Sequence, residues 1–105
     1  MREALIILPN EDNHGRHIVA VHDRLQVALC NVFGGYTATQ ACGGWQSTDG
    51  ARIEESVTCY MVAMEDSQAN AAVLREIALD AGKEAKQEAM YVRYASGEVE
   101  IIPTK

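Results

Sequence analysis

The chain has no basic cluster. Its 9 Lys and Arg are scattered among 15 Asp and Glu, for a formal net charge of −6. Binding through nucleic-acid phosphates needs a basic stripe that releases counterions, so that class is excluded. There is no CxxC, and the three cysteines, Cys30, Cys42 and Cys59, are an odd number. Neither a disulfide framework nor a structural zinc site is indicated, and reduced thiols are expected. No long apolar run exists either. The N-terminal ALIIL (Ala4 to Leu8) is ended by Pro9 and acids, too short for a signal h-region or a membrane span. The expectation is a cytoplasmic protein without a membrane partner. Internal repeats and low-complexity tracts are absent as well.

What is present is an ordinary globular composition, 48% hydrophobic and 23% charged over 105 residues. That length fits a single domain, residues 1–105, able to bury roughly 65% of its unfolded surface. ALIIL followed by Pro9 reads as a central strand leaving its sheet. Ile18, Val21, Leu25, Ala28, Leu29 and Val32 then recur three and four apart, the stripe of a helix that should end at Phe33, with Gly34 as its left-handed terminator.

The segment FGGYTATQACGGWQSTDG, residues 33 to 50, holds five of the eight glycines and the only tryptophan. Its first Gly-Gly lacks the following Lys-Ser/Thr and helix start of a phosphate loop. YTATQAC has strand propensity, and Asp49-Gly50 offers a turn into RIEESVTCYMVAM, so the pair reads as a β-hairpin. Alternation puts Ile53, Val57, Cys59, Met61 and Ala63 on one face of the second strand, and Glu54, Ser56, Thr58 and Tyr60 on the other. A turn centred on Asp49-Gly50 would bring Cys42 and Cys59 onto a common face. A second helix follows, capped by Asp66 or Ser67, with Ala69, Val73, Ile77, Ala81 and Ala85 as its buried stripe and Gly82 expected to fray its last turn. AMYVRY and EVEII close the chain around Ala95-Ser96-Gly97.

The order is β α β β α β with one additional short C-terminal strand. It predicts an α+β, ferredoxin-like βαββαβ fold, an antiparallel sheet with two helices on one face. The strand from Tyr36 to Gly43 should lie at one edge and the C-terminal strand at the other. The latter carries Glu98, Glu100 and Pro103, which block edge pairing, whereas TATQACG has neither charge nor proline. A homodimer through the Tyr36 to Gly43 edge is the partner this predicts.

The topology brings His14, His17, Trp45, Gln46, Asp49, Gln87 and Glu88 to one end of the sheet, the candidate site for a small molecule or a protein. Glu55, on the apolar side of its strand, joins them as a carboxylate in need of a partner such as Arg52 or a tyrosine hydroxyl. HxxH at His14 and His17 is weaker than a metalloprotease spacing, so no metal is assigned, nor any other cofactor. No catalytic residue is assigned. Glu54 and Glu55 point to opposite faces and cannot share a substrate.

The succession FGGYTATQACGGW, DGARIEESV and QEAMYV resembles a pattern in uncharacterised small bacterial proteins, some of them secreted lipoproteins and some encoded by phages or plasmids. The resemblance covers about residues 33 to 94 and matches Gly35, Thr37, Gly43 or Gly44, Trp45, Glu55, Gln87 and Glu88. It implies a ferredoxin-like domain without naming a reaction, and with no signal segment evident here it implies the phage or plasmid kind. The favoured function is a non-enzymatic binding or interaction module of unknown ligand. The alternatives are a small enzyme using Glu55, Glu88 or the histidines in acid–base chemistry, and an acidic inhibitor docking on a basic protein surface.

Overall fold

The computed structural model describes all 105 residues. The elements are β1 (Arg2–Pro9), α1 (Val19–Phe33), β2 (Thr37–Gln46), β3 (Arg52–Met64), α2 (Gln68–Glu84), β4 (Ala89–Arg93) and β5 (Val99–Pro103). All five strands form one sheet in the order β2-β3-β1-β4-β5, with every neighbour antiparallel. This is the expected βαββαβ fold with an extra C-terminal strand. β2 and β5 are its edges. No helix is long and apolar enough to cross a membrane.

Period-two alternation decides what each strand gives the core. Ala4, Ile6 and Leu8 of β1, Tyr60, Val62 and Met64 of β3, Met90 and Val92 of β4 and Ile102 of β5 form one buried cluster with the helices. Helix α1 adds Val21, Leu25 and Leu29; α2 adds Leu74, Ala78 and Ala81, with Ala85 just beyond its end. Burying one such aliphatic side chain fully is worth about 1.5–3 kcal/mol, and it fixes both helices on the same face of the sheet.

Three expectations are corrected here. The stripe of α2 is rotated: Val73 is exposed and Ala69 faces solvent, because Leu74 offers more apolar area to the sheet than either. The two faces of β3 are exchanged. Thr58 and Tyr60 are buried on the side of the helices, while on the side no helix covers Val57 alone is buried and Cys59 and Met61 are half-buried. Cys42 and Cys59 do not share a face, since Cys42 pairs with Ser56 and Cys59 with Thr39. The five-residue connection Ser47 to Ala51, closed by Ser47 N–H to the Ala51 carbonyl at 2.9 Å, sets that register.

Helix ends are fixed locally. Gly34, at φ 91°, stops α1 and donates its N–H to the Cys30 carbonyl at 3.0 Å. Ser67 caps α2, its hydroxyl oxygen accepting the Asn70 N–H at 3.1 Å. The far end of α2 is closed rather than frayed: Gln87 N–H donates to the Gly82 carbonyl at 2.9 Å and Lys86 N–H to that of Lys83 at 3.1 Å. Lys86 takes the left-handed conformation, φ 56°, that this Schellman closure requires.

β1 pairs with β3 only from Val57 to Met64. Gly43 to Gln46 and Arg52 to Glu55 therefore pair with each other alone, as a two-stranded arm leaving the body. The molecule measures 40 × 26 × 25 Å as a result.

Candidate functional site

Where the arm leaves the body, β1 ends at Pro9 and the chain turns toward α1. Asn10 sits at that turn, and its backbone is fixed on both sides: its N–H donates to the Ser56 carbonyl at 3.0 Å and its carbonyl accepts the Ile18 N–H at 3.1 Å. Its side chain is thereby held over the polar face of the hairpin. Asn10 Nδ2 donates to Gln40 Oε1 at 2.8 Å, Gln40 Nε2 to Thr58 Oγ1 at 3.0 Å, and Thr58 Oγ1 to Asn10 Oδ1 at 2.6 Å. These three bonds close a ring. The second Asn10 amide proton goes to Ser56 Oγ at 2.7 Å. Every donor of Asn10 and Thr58 is then used, while one Gln40 N–H and the Ser56 O–H remain free to meet a ligand. Gln40 and Ser56 are exposed and Thr58 is buried, so the ring forms a shelf with a fixed floor and an accessible rim.

Tyr60 continues this face, one pleat beyond Thr58. Its hydroxyl meets His22 Nδ1 at 2.6 Å and Gln26 Nε2 at 3.0 Å, and His22 Nε2 lies 2.8 Å from the Pro9 carbonyl. A carbonyl only accepts, so Nε2 carries the imidazole proton and Nδ1 accepts from the Tyr60 O–H; Gln26 donates to the phenol oxygen. Burial, ahead of the opposing Gln26 hydrogen bond, raises the Tyr60 pKa, which keeps the phenol protonated. Tyr36 packs edge-on against Tyr60, with ring centroids 5.5 Å apart. The shelf and this half-buried trio thus form one polar surface between α1 and the arm.

The residues anticipated from sequence do share an end of the sheet, but in separate places. Trp45 is 53% exposed on the arm, opposite Ile53. Gln46 reaches toward the Gly50 carbonyl at 3.4 Å. Asp49 organises the arm's tip: it accepts from the Ser47 hydroxyl and from the Ala51 N–H, and these bonds hold its carboxyl below the ordinary range. Gln87 and Glu88 lie across the sheet beside β5, where their carbonyls accept from Thr104. Glu55 is half-buried opposite Gly43 on the uncovered face; the partner suggested for it, Arg52, instead bridges Glu54 at 3.1 Å.

His14 and His17 are exposed in the loop after β1. That loop is shaped by Asp12, whose carboxylate accepts from the backbone N–H groups of Arg16 at 3.0 Å and His14 at 2.8 Å and from Arg16 Nε at 3.0 Å. No three His, Cys, Asp or Glu side chains gather closely enough to hold a metal ion.

Sequence reasoning missed Gln40, Ser56, Thr58, Tyr60, His22 and Gln26. Part of the signal is legible in the polar alternation of β3, which sets Ser56, Thr58 and Tyr60 on one face. The rest depends on the register that sets Gln40 opposite Thr58.

Comparison with protein-family models and with curated proteins finds no match. Among solved structures, a phage SAM lyase in its apo state superposes with a TM-score of 0.75 over 96% of this chain and 87% of that one, at 13% identity. The phage SAM lyase in complex with S-methyl-5′-thioadenosine gives the same TM-score and identity over 96% and 88%. The chain shares their fold.

Proposed function

We propose that this chain binds an S-adenosyl sulfonium compound at the Asn10–Gln40–Ser56–Thr58 shelf and cleaves a carbon–sulfur bond in it, in a phage or plasmid setting. The observation that carries the proposal is the shelf itself: a rigid hydrogen-bonded floor with free Gln40 and Ser56 donors, in a fold shared with a lyase solved with a thioether nucleoside. The chemistry suits the residues. As the C–S bond to the amino-acid chain breaks, its electron pair leaves on sulfur as a neutral thioether while the substrate's own carboxylate forms a C–O bond to the same carbon, closing a lactone. No proton or outside nucleophile is needed from the protein, and positioning supplies most of what catalysis requires. The net charge of −6 favours approach of a cation.

A second reading is a binding module that holds such a nucleoside without turning it over. It is favoured by the hydrogen bonds of the shelf and of the adjoining Tyr60 trio, which involve amides, hydroxyls and an imidazole but no carboxylate.

The test is incubation with S-adenosylmethionine, following S-methyl-5′-thioadenosine by mass spectrometry. Release is expected, reduced about tenfold by Gln40→Ala, the equivalent of one hydrogen bond of roughly 1.4 kcal/mol. Thermal stabilisation by either compound without release would select the binding module. Neither release nor stabilisation would end both readings.

A further inference from the structure

The face of the sheet opposite the helices has no cover. Register places Leu5, Ile7, Cys59 and Met61 on it, and on the arm Trp45 and Ile53 directly opposite each other. Trp45 is 53% exposed and Ile53 37%. Beside them runs β2, a ten-residue edge strand, TATQACGGWQ, without a charge or a proline along its length. Natural edges of that length are ordinarily shortened, charged or covered.

The molecule's surface area points the same way. The chain exposes 6476 Å² of solvent-accessible surface. A folded monomer of its 11.5 kDa is expected to expose about 5,800 Å². The excess, roughly 700 Å², is close to the ~800 Å² per partner that a standard interface buries. A two-stranded hairpin is marginal alone in water, so the arm gains most from packing against something.

We infer that a second copy of this chain docks along β2 and the uncovered face of the β2–β3 arm. Charge selects the occupant. With −6 on each copy, self-association is disfavoured wherever acids meet, but β2 carries none, and on the uncovered strip of the arm beside it Glu55 is the one acid. Two copies can therefore meet along β2 without opposing like charges, whereas a basic partner would find no acid on β2 to pair with. The interface shares strand β2 with the ligand proposal but uses its edge and the face opposite Gln40, so either can fail alone.

Sedimentation velocity of the full chain over a dilution series tests it. At micromolar concentration the mass should be at least twice 11.5 kDa. It should persist or rise with salt, since screening removes only the net repulsion. Thr39→Lys, on the edge, and Trp45→Glu, on the arm, should each return it to one chain, while Val73→Glu on α2 should not. Because Trp45 is the only tryptophan, unmodified protein provides a second measure: its emission should shift to the red on dilution, with the midpoint at which the mass falls. A wild-type chain that stays at 11.5 kDa throughout overturns the inference. So does a mass that both interface variants leave unchanged, or a tryptophan emission that ignores dissociation.

Discussion

Replacing Gly82 by alanine sets two effects of opposite sign against each other. Helix propensity alone favours the change by about 1 kcal/mol, because glycine loses more backbone freedom on folding than alanine. Packing opposes it. A Cβ on residue 82 would stand 2.4 Å from Met90 Cγ and 2.7 Å from Thr104 Cγ2, with Met90 Sδ at 3.2 Å. Ordinary carbon contacts lie near 3.5–4.0 Å, so α2 and β4 would have to separate by about an ångström or Met90 would have to leave its rotamer. Met90 is 1% exposed and enclosed by the core, and Thr104 is buried on the other side, so neither can withdraw freely. Overpacking of this kind costs about 1–3 kcal/mol. Two simultaneous overlaps place G82A toward the upper end, for a net loss of about 1–2 kcal/mol. Urea unfolding followed by circular dichroism reads this directly, and the midpoint on heating should fall by roughly 5–10 °C. A double-mutant cycle isolates the cause: Met90→Ala should be less harmful in the G82A background, with a coupling of about 1 kcal/mol or more. A G82A chain more stable than wild type would refute the packing account and leave propensity in charge.

Lys86 holds a left-handed conformation that costs an L-residue about 1–2 kcal/mol. K86G should therefore stabilise the fold by about 0.5–1 kcal/mol in thermal unfolding, after the entropy of the added glycine is deducted; a loss would contradict the Schellman closure of α2. Tyr60→Phe leaves His22 Nδ1 without its donor and Gln26 without its acceptor, and should cost about 1–3 kcal/mol in urea unfolding. An unchanged midpoint would remove the polar trio as a structural element. Glu100 is held below its usual value of 4.5 by hydrogen bonds from Arg75 and then Tyr94. Its folded-state pKa is depressed, so its contribution is complete above about 4.5 and is lost as pH falls through the lower folded value. Stability measured against pH should fall less steeply below 4.5 in E100Q than in wild type, and identical acid limbs would show that the triad does not matter.

The topology was legible because its signals are local and independent: Pro9 ending a strand, a three-and-four stripe through Val21, Leu25 and Leu29, Gly34 as a terminator, Ser67 as a cap. Each rests on neighbours in sequence, and each was found where expected. The phase of α2 is not recoverable, because Ala, Val, Leu and Ile recur so densely between Ala69 and Ala85 that several stripes fit, and only packing against the sheet, where Met90 meets Gly82, selects one. Gly82 was misread for a related reason: a helix-interior glycine looks like a weakness until the strand beneath it is known to approach too closely for a Cβ.

The inversion of β3 has the largest consequence. Alternation correctly divides Ile53, Val57, Cys59 and Met61 from Ser56, Thr58 and Tyr60, but hydropathy favours the first set for the core. The helices instead cover Thr58 and Tyr60, and of the first set only Val57 is buried. Tyr60 can be buried because His22 and Gln26 satisfy its hydroxyl, and Thr58 because Asn10 and Gln40 close a ring through it; each of these partners lies 18 or more residues in sequence from the side chain it meets. The polar shelf and the uncovered apolar face are therefore two results of one choice. Turning the polar side of β3 inward creates a hydrogen-bonded site under α1 and, by the strict period of a strand, forces Cys59, Met61 and Ile53 outward. A ligand reading satisfies the first side and self-association the second. Restoring the simple pattern, with Thr58→Val and Tyr60→Phe together, should leave a folded chain that has lost the shelf yet keeps its assembled mass.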